Sequence, residues 1–143
     1  MKCDADALKL KNQLCFPIYA CSREVIKRYK PFLDNIGLTY TQYIAMMVLW
    51  ENEEISARDL GIALHLDSGT LTPLLKRLQD MGLITKSRSS TDERVLDVKI
   101  TESGKELRKK AESIPRQIRS CVDLTEEEAG TLYHLLYKIL DTI

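Results

Sequence analysis

The chain has 143 residues, long enough for one domain with a proper core and too short for two independent ones of ordinary size. Lys plus Arg and Asp plus Glu stand at 21 each, so whole-chain charge neither marks nor excludes a polyanionic partner. No apolar run approaches the ~20 residues of a membrane span and the opening M-K-C-D-A-D lacks a signal-peptide core, so a cytoplasmic protein is expected.

Cysteines at positions 3, 15, 21 and 121 have no close zinc-type pairing, and His65 and His134 add no short ligand spacing, so no metal or other cofactor is expected. A reducing compartment argues against static disulfides and leaves reversible thiol chemistry open.

In chain order, a first helix is expected from near Asp6 to about Tyr29, on a stripe of Leu14, Ile18, Val25 and Tyr29 that Cys15, Tyr19 and Ile26 widen. Pro17 predicts a bend or a late start, and Lys30-Pro31 a break. Thr39 with Gln42 is a capping-box signature for the helix Y-T-Q-Y-I-A-M-M-V-L-W, whose Tyr43, Met46, Met47 and Trp50 read as core rather than ligand contacts. Glu51 to Glu54 reads as a polar connection.

Ser56 caps the next helix, which breaks at His65-Leu66-Asp67, and a second follows through S-G-T-L-T-P-L-L-K-R-L-Q-D-M to Gly82. Leu71, Leu74, Leu75 and Leu78 make its buried stripe; Ser68, Thr70, Thr72, Lys76 and Arg77 fall on the other face, where a helix reading a major groove carries such groups. Pro73 leaves the start open by a turn: either Thr72 is the cap and Pro73 the first helical residue, or the helix begins earlier and tolerates it.

A two-stranded ribbon follows, with Leu96, Val98 and Ile100 alternating after the tip S-S-T-D-E. Helix, turn, helix and hairpin in one run make a winged helix-turn-helix, with Arg88 and Arg94 able to reach a backbone or minor groove. From Lys76 to Arg94 five cations face three acids, the sign a DNA-reading surface needs; the competing reading is an ordinary solvated face.

Thr101 caps a long amphipathic helix with the stripe Leu107, Ala111, Ile114 and Ile118 and an expected kink at Pro115. Thr125 with Glu128 opens a last helix whose Leu132, Leu135, Leu136, Ile139, Leu140 and Ile143 give a broad apolar face. The expected architecture is mainly α with a small β-hairpin wing, one domain over 1–143, with a DNA-reading unit at about 55–100 and terminal helices at about 6–30 and 102–143. Those terminal helices read as a homodimerisation bundle; two-fold symmetry would then present two reading helices to a pseudo-palindromic duplex, while a larger core within one chain is the alternative.

The stretches L-K-L-K-N-Q-L-C-F-P-I-Y-A at Leu8, Y-K-P-F-L-D at Tyr29, G-L-T-Y-T-Q-Y at Gly37, L-D-S-G-T-L-T-P-L-L-K-R-L at Leu66 and T-D-E-R at Thr91 together resemble the MarR family of bacterial transcription regulators, and more narrowly its organic-hydroperoxide-sensing repressors. The resemblance covers nearly the whole chain. It implies a repressor, not an enzyme, in which Cys15 is the redox sensor, its thiolate held by the hydroxyls of Tyr29 and Tyr40 with Tyr19 coming from the partner subunit. It also implies that Cys121 of the partner is the resolving thiol, and that Arg94, oriented by Asp92, enters a minor groove. Pro17 stands where a small or aliphatic residue is expected, and Cys21 lies outside the pattern.

Physical chemistry supports part of this. Peroxides react with thiolates, so a sensing cysteine needs exposure and donors to negative sulfur; Leu14 and Ile18 beside Cys15 would make an apolar entrance favouring organic hydroperoxides. An inert cysteine packed between helices is the commoner arrangement. Cys21 cannot resolve Cys15 on one helix, being about 9 Å along the axis and roughly 120° around it. A regulator released by an aromatic ligand in the dimer cleft remains the alternative, and a thiol peroxidase is disfavoured by the complete reading unit.

Overall fold

The computed structural model describes residues 6–143. A single 3-10 turn at Leu10–Asn12 precedes α1, Cys15–Asp34. The helix therefore begins nine residues later than the apolar stripe suggested, and Cys15, not Asp6, opens it. Pro17 falls at the third helical position, where an amide has no partner within the helix anyway, so no bend results. The break expected at Lys30-Pro31 does not occur. Pro31 lies in the last turn, where one missing hydrogen bond costs little cooperativity, and Lys30 pairs with Asp34 across it at 2.9 Å.

α2, Tyr40–Asn52, starts on the expected capping box: Thr39 Oγ1 accepts from the Gln42 amide at 3.4 Å and Gln42 Oε1 accepts from the Thr39 amide at 2.9 Å. Tyr43 and Met46 are buried as read, but Met47 is 45% exposed, because it lines an open groove with Trp50, Arg108 and Pro115. The supposed polar connection after α2 contains a strand, β1, Glu54–Ser56, too short to show a period. β1 pairs with β3, Leu96–Ile100, which also pairs with β2, Ile84–Arg88; both pairings are antiparallel, and Val98 faces Ile55 on one side and Lys86 on the other. The wing is thus the outer part of a three-stranded sheet rather than a free ribbon.

Ser56 caps α3, Ala57–Leu64, accepting from the Asp59 amide at 3.0 Å, and His65 turns the chain at φ 52°. α4, Ser68–Asp80, is capped by Asp67, whose Oδ1 accepts from the Thr70 amide at 2.8 Å. Of the two starts the sequence left open, the earlier one holds: Thr72 Oγ1 donates to the Ser68 carbonyl at 2.8 Å from inside the helix, and Pro73 is an interior residue. Gly82 closes α4 at φ 73°, a value that favours glycine.

The long helix expected after the wing is two: α5, Glu102–Ala111, and α6, Ile114–Arg119, with Pro115 in the first turn of α6, so the chain breaks before the proline instead of kinking at it. α7, Glu126–Leu140, opens on the Thr125–Glu128 capping box. The core lies between α2, α3, α4 and the sheet, where Met46, Leu49, Leu60, Leu75, Leu78, Ile84 and Val98 are fully buried. α1 contributes Leu33 alone to that core, and α7 contributes nothing.

Candidate DNA interface and thiol site

α4 presents one wall of its cylinder to the core and the other to solvent. Leu71, Leu74, Leu75 and Leu78 are buried, and Ser68, Thr70, Thr72, Lys76 and Arg77 are all exposed, as the spacing required. The Asp67 carboxylate, bonded to the amides of the opening turn, is held below the usual carboxylate range, chiefly by the Thr70 amide. It fixes where the first exposed side chains of α4 point.

Arg88 ends β2 and Arg94 lies at the tip of the wing, both exposed. The tip is closed by the Ser89 amide donating to the Val95 carbonyl at 2.8 Å, and Asp92 Oδ1 accepts from the Arg94 backbone amide at 3.0 Å. Asp92 shapes the turn that carries Arg94, leaving its guanidinium free to reach outward. Among the described residues Lys76, Arg77, Lys86, Arg88 and Arg94 enter no ion pair, so their charge is available to phosphates. Sequence reasoning overlooked a groove of about 650 Å³ between α3, α4 and the sheet, floored by Leu71 and Leu75 and rimmed by Arg58, His65 and Lys86. Arg58 and His65 belong to α3 and its turn, whose exposed face carried no periodic signal.

The thiol residues are distributed differently from what the resemblance implied. Cys15 is exposed at the first position of α1, next to Phe16, whose amide donates to the Gln13 carbonyl at 3.3 Å. Tyr19 lies one turn on, its ring 5.4 Å from the Arg23 guanidinium carbon. Tyr29 and Tyr40 are half-buried and pack edge to face at 5.0 Å between ring centroids, joining the end of α1 to the start of α2.

α1 runs unbroken from Cys15 to Tyr29, a rise of about 21 Å, beyond the combined reach of the two side chains. Tyr29, and Tyr40 packed on it, therefore lie out of reach of Cys15 in the same chain, contrary to the same-chain arrangement the resemblance implied. Burial, and then their mutual proximity, pushes the Tyr29 hydroxyl up, and burial does the same for Tyr40, so both remain protonated donors at neutral pH.

Cys121 is exposed just after α6, with its Sγ 3.4 Å from the Gln117 carbonyl, and α6 packs against α1. Cys15, Cys21 and Cys121 are free thiols; Cys3 lies outside the described residues. Among the described residues no group of three His, Cys, Asp or Glu side chains could hold a metal, and no helix is long and apolar enough to cross a membrane.

A family model described as transcriptional regulator SarA/Rot matches residues 27–111. The organic hydroperoxide resistance transcriptional regulator of Bacillus subtilis is 47% identical over 138 residues, 96% of this chain and 94% of that protein. SarZ, an HTH-type transcriptional regulator of Staphylococcus epidermidis, is 40% identical over 123 residues, 86% of this chain and 83% of its own length. The overoxidized form of AbfR bound to DNA has the same fold at a TM-score of 0.78 and 33% identity, covering 96% of each chain; AbfR is also a protein of Staphylococcus epidermidis. The chain is a DNA-binding transcriptional regulator rather than an enzyme, and it belongs to the SarA/Rot family of MarR-type winged-helix proteins, in the branch of the organic-hydroperoxide regulators.

Proposed function

We propose that the chain acts as a homodimeric repressor that holds a pseudo-palindromic operator while Cys15 is reduced and releases it when an organic hydroperoxide oxidises that thiol. The observation that carries this reading is the split along α1. Cys15 and Tyr19 stand at one end, Tyr29 and Tyr40 at the other, and a two-fold axis between two chains brings opposite ends together twice over. The apolar residues left exposed on α1 and α7, among them Phe16, Leu132 and Leu135, supply the surface such a dimer buries.

In the reaction the Cys15 thiolate attacks one peroxide oxygen, the O–O bond breaks, an alcohol leaves after taking up a proton, and the sulfur becomes a sulfenic acid. Condensation with the Cys121 thiol of the other chain, or with a small cellular thiol, forms a disulfide and expels water. AbfR has been solved in a disulfide-formed state, in keeping with such a step. Ser68, Thr70, Thr72, Lys76 and Arg77 would read the major groove, and Arg88 and Arg94, with Asp92 beneath, the flanking backbone and minor groove.

Cys15→Ser should bind DNA and fail to release it on treatment with an organic hydroperoxide, while the wild type gives a covalent dimer on non-reducing electrophoresis and Cys121→Ser only monomer. Release by Cys15→Ser would overturn the sensing role, and a covalent dimer from Cys121→Ser the resolving one. The second reading, release by an aromatic ligand, draws on a groove of about 520 Å³ lined by Tyr43, Met47, Trp50 and Arg108. It predicts that Cys15→Ser remains fully inducible by such a ligand.

A further inference from the structure

Four aromatic rings form a continuous row from the tyrosine end of α1 along α2. Tyr29 packs on Tyr40 at 5.0 Å and on Tyr43 at 5.9 Å, and Tyr43 packs on Trp50 at 6.2 Å. Tyr40, Tyr43 and Trp50 recur at helical spacing, so one face of α2 carries the row over about 15 Å. Unlike the other core side chains of α2, Trp50 makes a polar bond beyond its own helix. Its Nε1 donates to the Gly104 carbonyl at 2.8 Å, across 54 residues of sequence.

Gly104 is where α5 meets the end of the reading helix. A Cβ there would lie 2.4 Å from the Leu83 carbonyl oxygen and 2.7 Å from Ile100 Cγ1, so only glycine permits this approach. The neighbouring Thr101 donates its amide to the Leu83 carbonyl at 3.0 Å and its hydroxyl to the Gly82 carbonyl at 2.6 Å. Leu83 in turn donates back to the Leu78 carbonyl inside α4 at 3.1 Å. The other side-chain tie between the end of α2 and α5, Lys105 to Glu53 at 3.2 Å, is a solvent-exposed ion pair and correspondingly weak. A half-buried indole N–H, by contrast, needs its acceptor.

We propose that Trp50 is the positioning residue through which the tyrosine end of α1 sets the reading helix: the aromatic row moves as one body with α2, and the indole bond to Gly104 carries its displacement through Thr101 and Leu83 to the end of α4. This rests on the sensing role of Cys15 proposed above. When Cys15 of the partner chain passes through its sulfenic acid into a disulfide, its sulfur loses the negative charge that Tyr29 and Tyr40 donate to, the row is freed at that end, and the reading helices leave the spacing of the duplex. Packed rings and a short polar bond favour two discrete arrangements over gradual deformation.

The chain contains a single tryptophan, so its indole reports alone. The experiment uses the full-length protein and a duplex selected from random sequence by the reduced wild type, with tert-butyl hydroperoxide as oxidant and intact mass to follow Cys15. In the wild type, oxidation should shift the indole N–H resonance and the emission of Trp50 in step with DNA release. Trp50→Phe keeps a ring and loses the N–H; it should oxidise at the wild-type rate while the ratio of reduced to oxidised DNA affinity shrinks at least tenfold. A residue needed only for packing would lower the melting temperature and leave that ratio unchanged, and this outcome overturns the proposal. Should Trp50→Phe not fold, the wild-type resonance decides: an indole signal unmoved while oxidised protein lets go of DNA contradicts the relay and spares the sensor. Release that proceeds unchanged in Cys15→Ser removes the sensing role and the relay with it.

Discussion

The reading unit and the terminal helices carry the same kind of sequence signal and reach opposite ends. In α4, Leu71, Leu74, Leu75 and Leu78 recur at helical spacing and all four are buried within one chain. In α7, Leu132, Leu135, Ile139 and Leu140 recur just as regularly and all four are exposed, Leu135 to 50%. An apolar stripe states that a face must be covered and is silent on which chain covers it. The sheet and α2 cover α4; among the described residues the apolar stripe of α7 stays open to solvent, and the two-chain arrangement proposed above would cover it.

Leucine truncations separate the two regions most strongly. Leu78→Ala, at a fully buried site, should cost about 2–5 kcal/mol, seen as a lower denaturant midpoint at unchanged slope and at every protein concentration. Leu135→Ala should lower the midpoint at concentrations where the wild type is dimeric and leave it unchanged where the dimer has already dissociated. An equal, concentration-independent loss for Leu135→Ala would mean that α7 is covered by its own chain.

A smaller effect is expected at the exposed side of the reading unit. Arg94→Ala should weaken binding to duplex DNA and make the dependence of log affinity on log salt shallower by about 1 for each wing whose phosphate contact is lost. An unchanged salt slope would place Arg94 off the DNA.

The smallest effect lies at the junction of the two regions, in alkali. Burial raises Tyr29, Tyr40 and Tyr43 above the ordinary phenol range, so their contribution to stability is complete below the unfolded-state value of about 10 and is lost as pH rises through the higher folded values. Tyr29→Phe should therefore flatten the alkaline limb of the stability profile and leave neutral pH nearly unaffected. A steeper limb in that variant would contradict the burial of the pair.

Much of this was legible in the sequence where local chemistry decides. The caps at Thr39, Ser56, Thr101 and Thr125, the stop at Gly82 and the buried stripe of α4 depend on groups within a few residues, and the structure has them as expected. The misplaced features are those that distant partners decide. β1 exists because Ile55 finds Val98, and the Trp50 indole bonds Gly104; neither leaves a period in the chain. Of the prolines, Pro17 goes with the late start expected of it and Pro73 with the earlier of the two starts left open for α4; Pro31 was over-read, lying in the last turn of an unbroken α1, and Pro115 opens α6 instead of kinking one long helix. The residue types proposed for the thiol site were readable, but that Tyr29 lies out of reach of Cys15 in one chain followed only from α1 being one helix from Cys15 to Asp34.

A thiol site built from two chains is put to the test by two differently tagged heterodimers whose Cys15 oxidation is timed under a limiting dose of organic hydroperoxide. In the first, one chain carries Cys15→Ser and the other Tyr29→Phe with Tyr40→Phe, so the surviving Cys15 faces intact tyrosines across the interface. In the second, one chain carries all three substitutions and the other none, so the surviving Cys15 faces an interface without them. The account predicts wild-type oxidation in the first heterodimer and slow oxidation in the second. The reverse order would show that Cys15 is served by tyrosines of its own chain and would contradict the account.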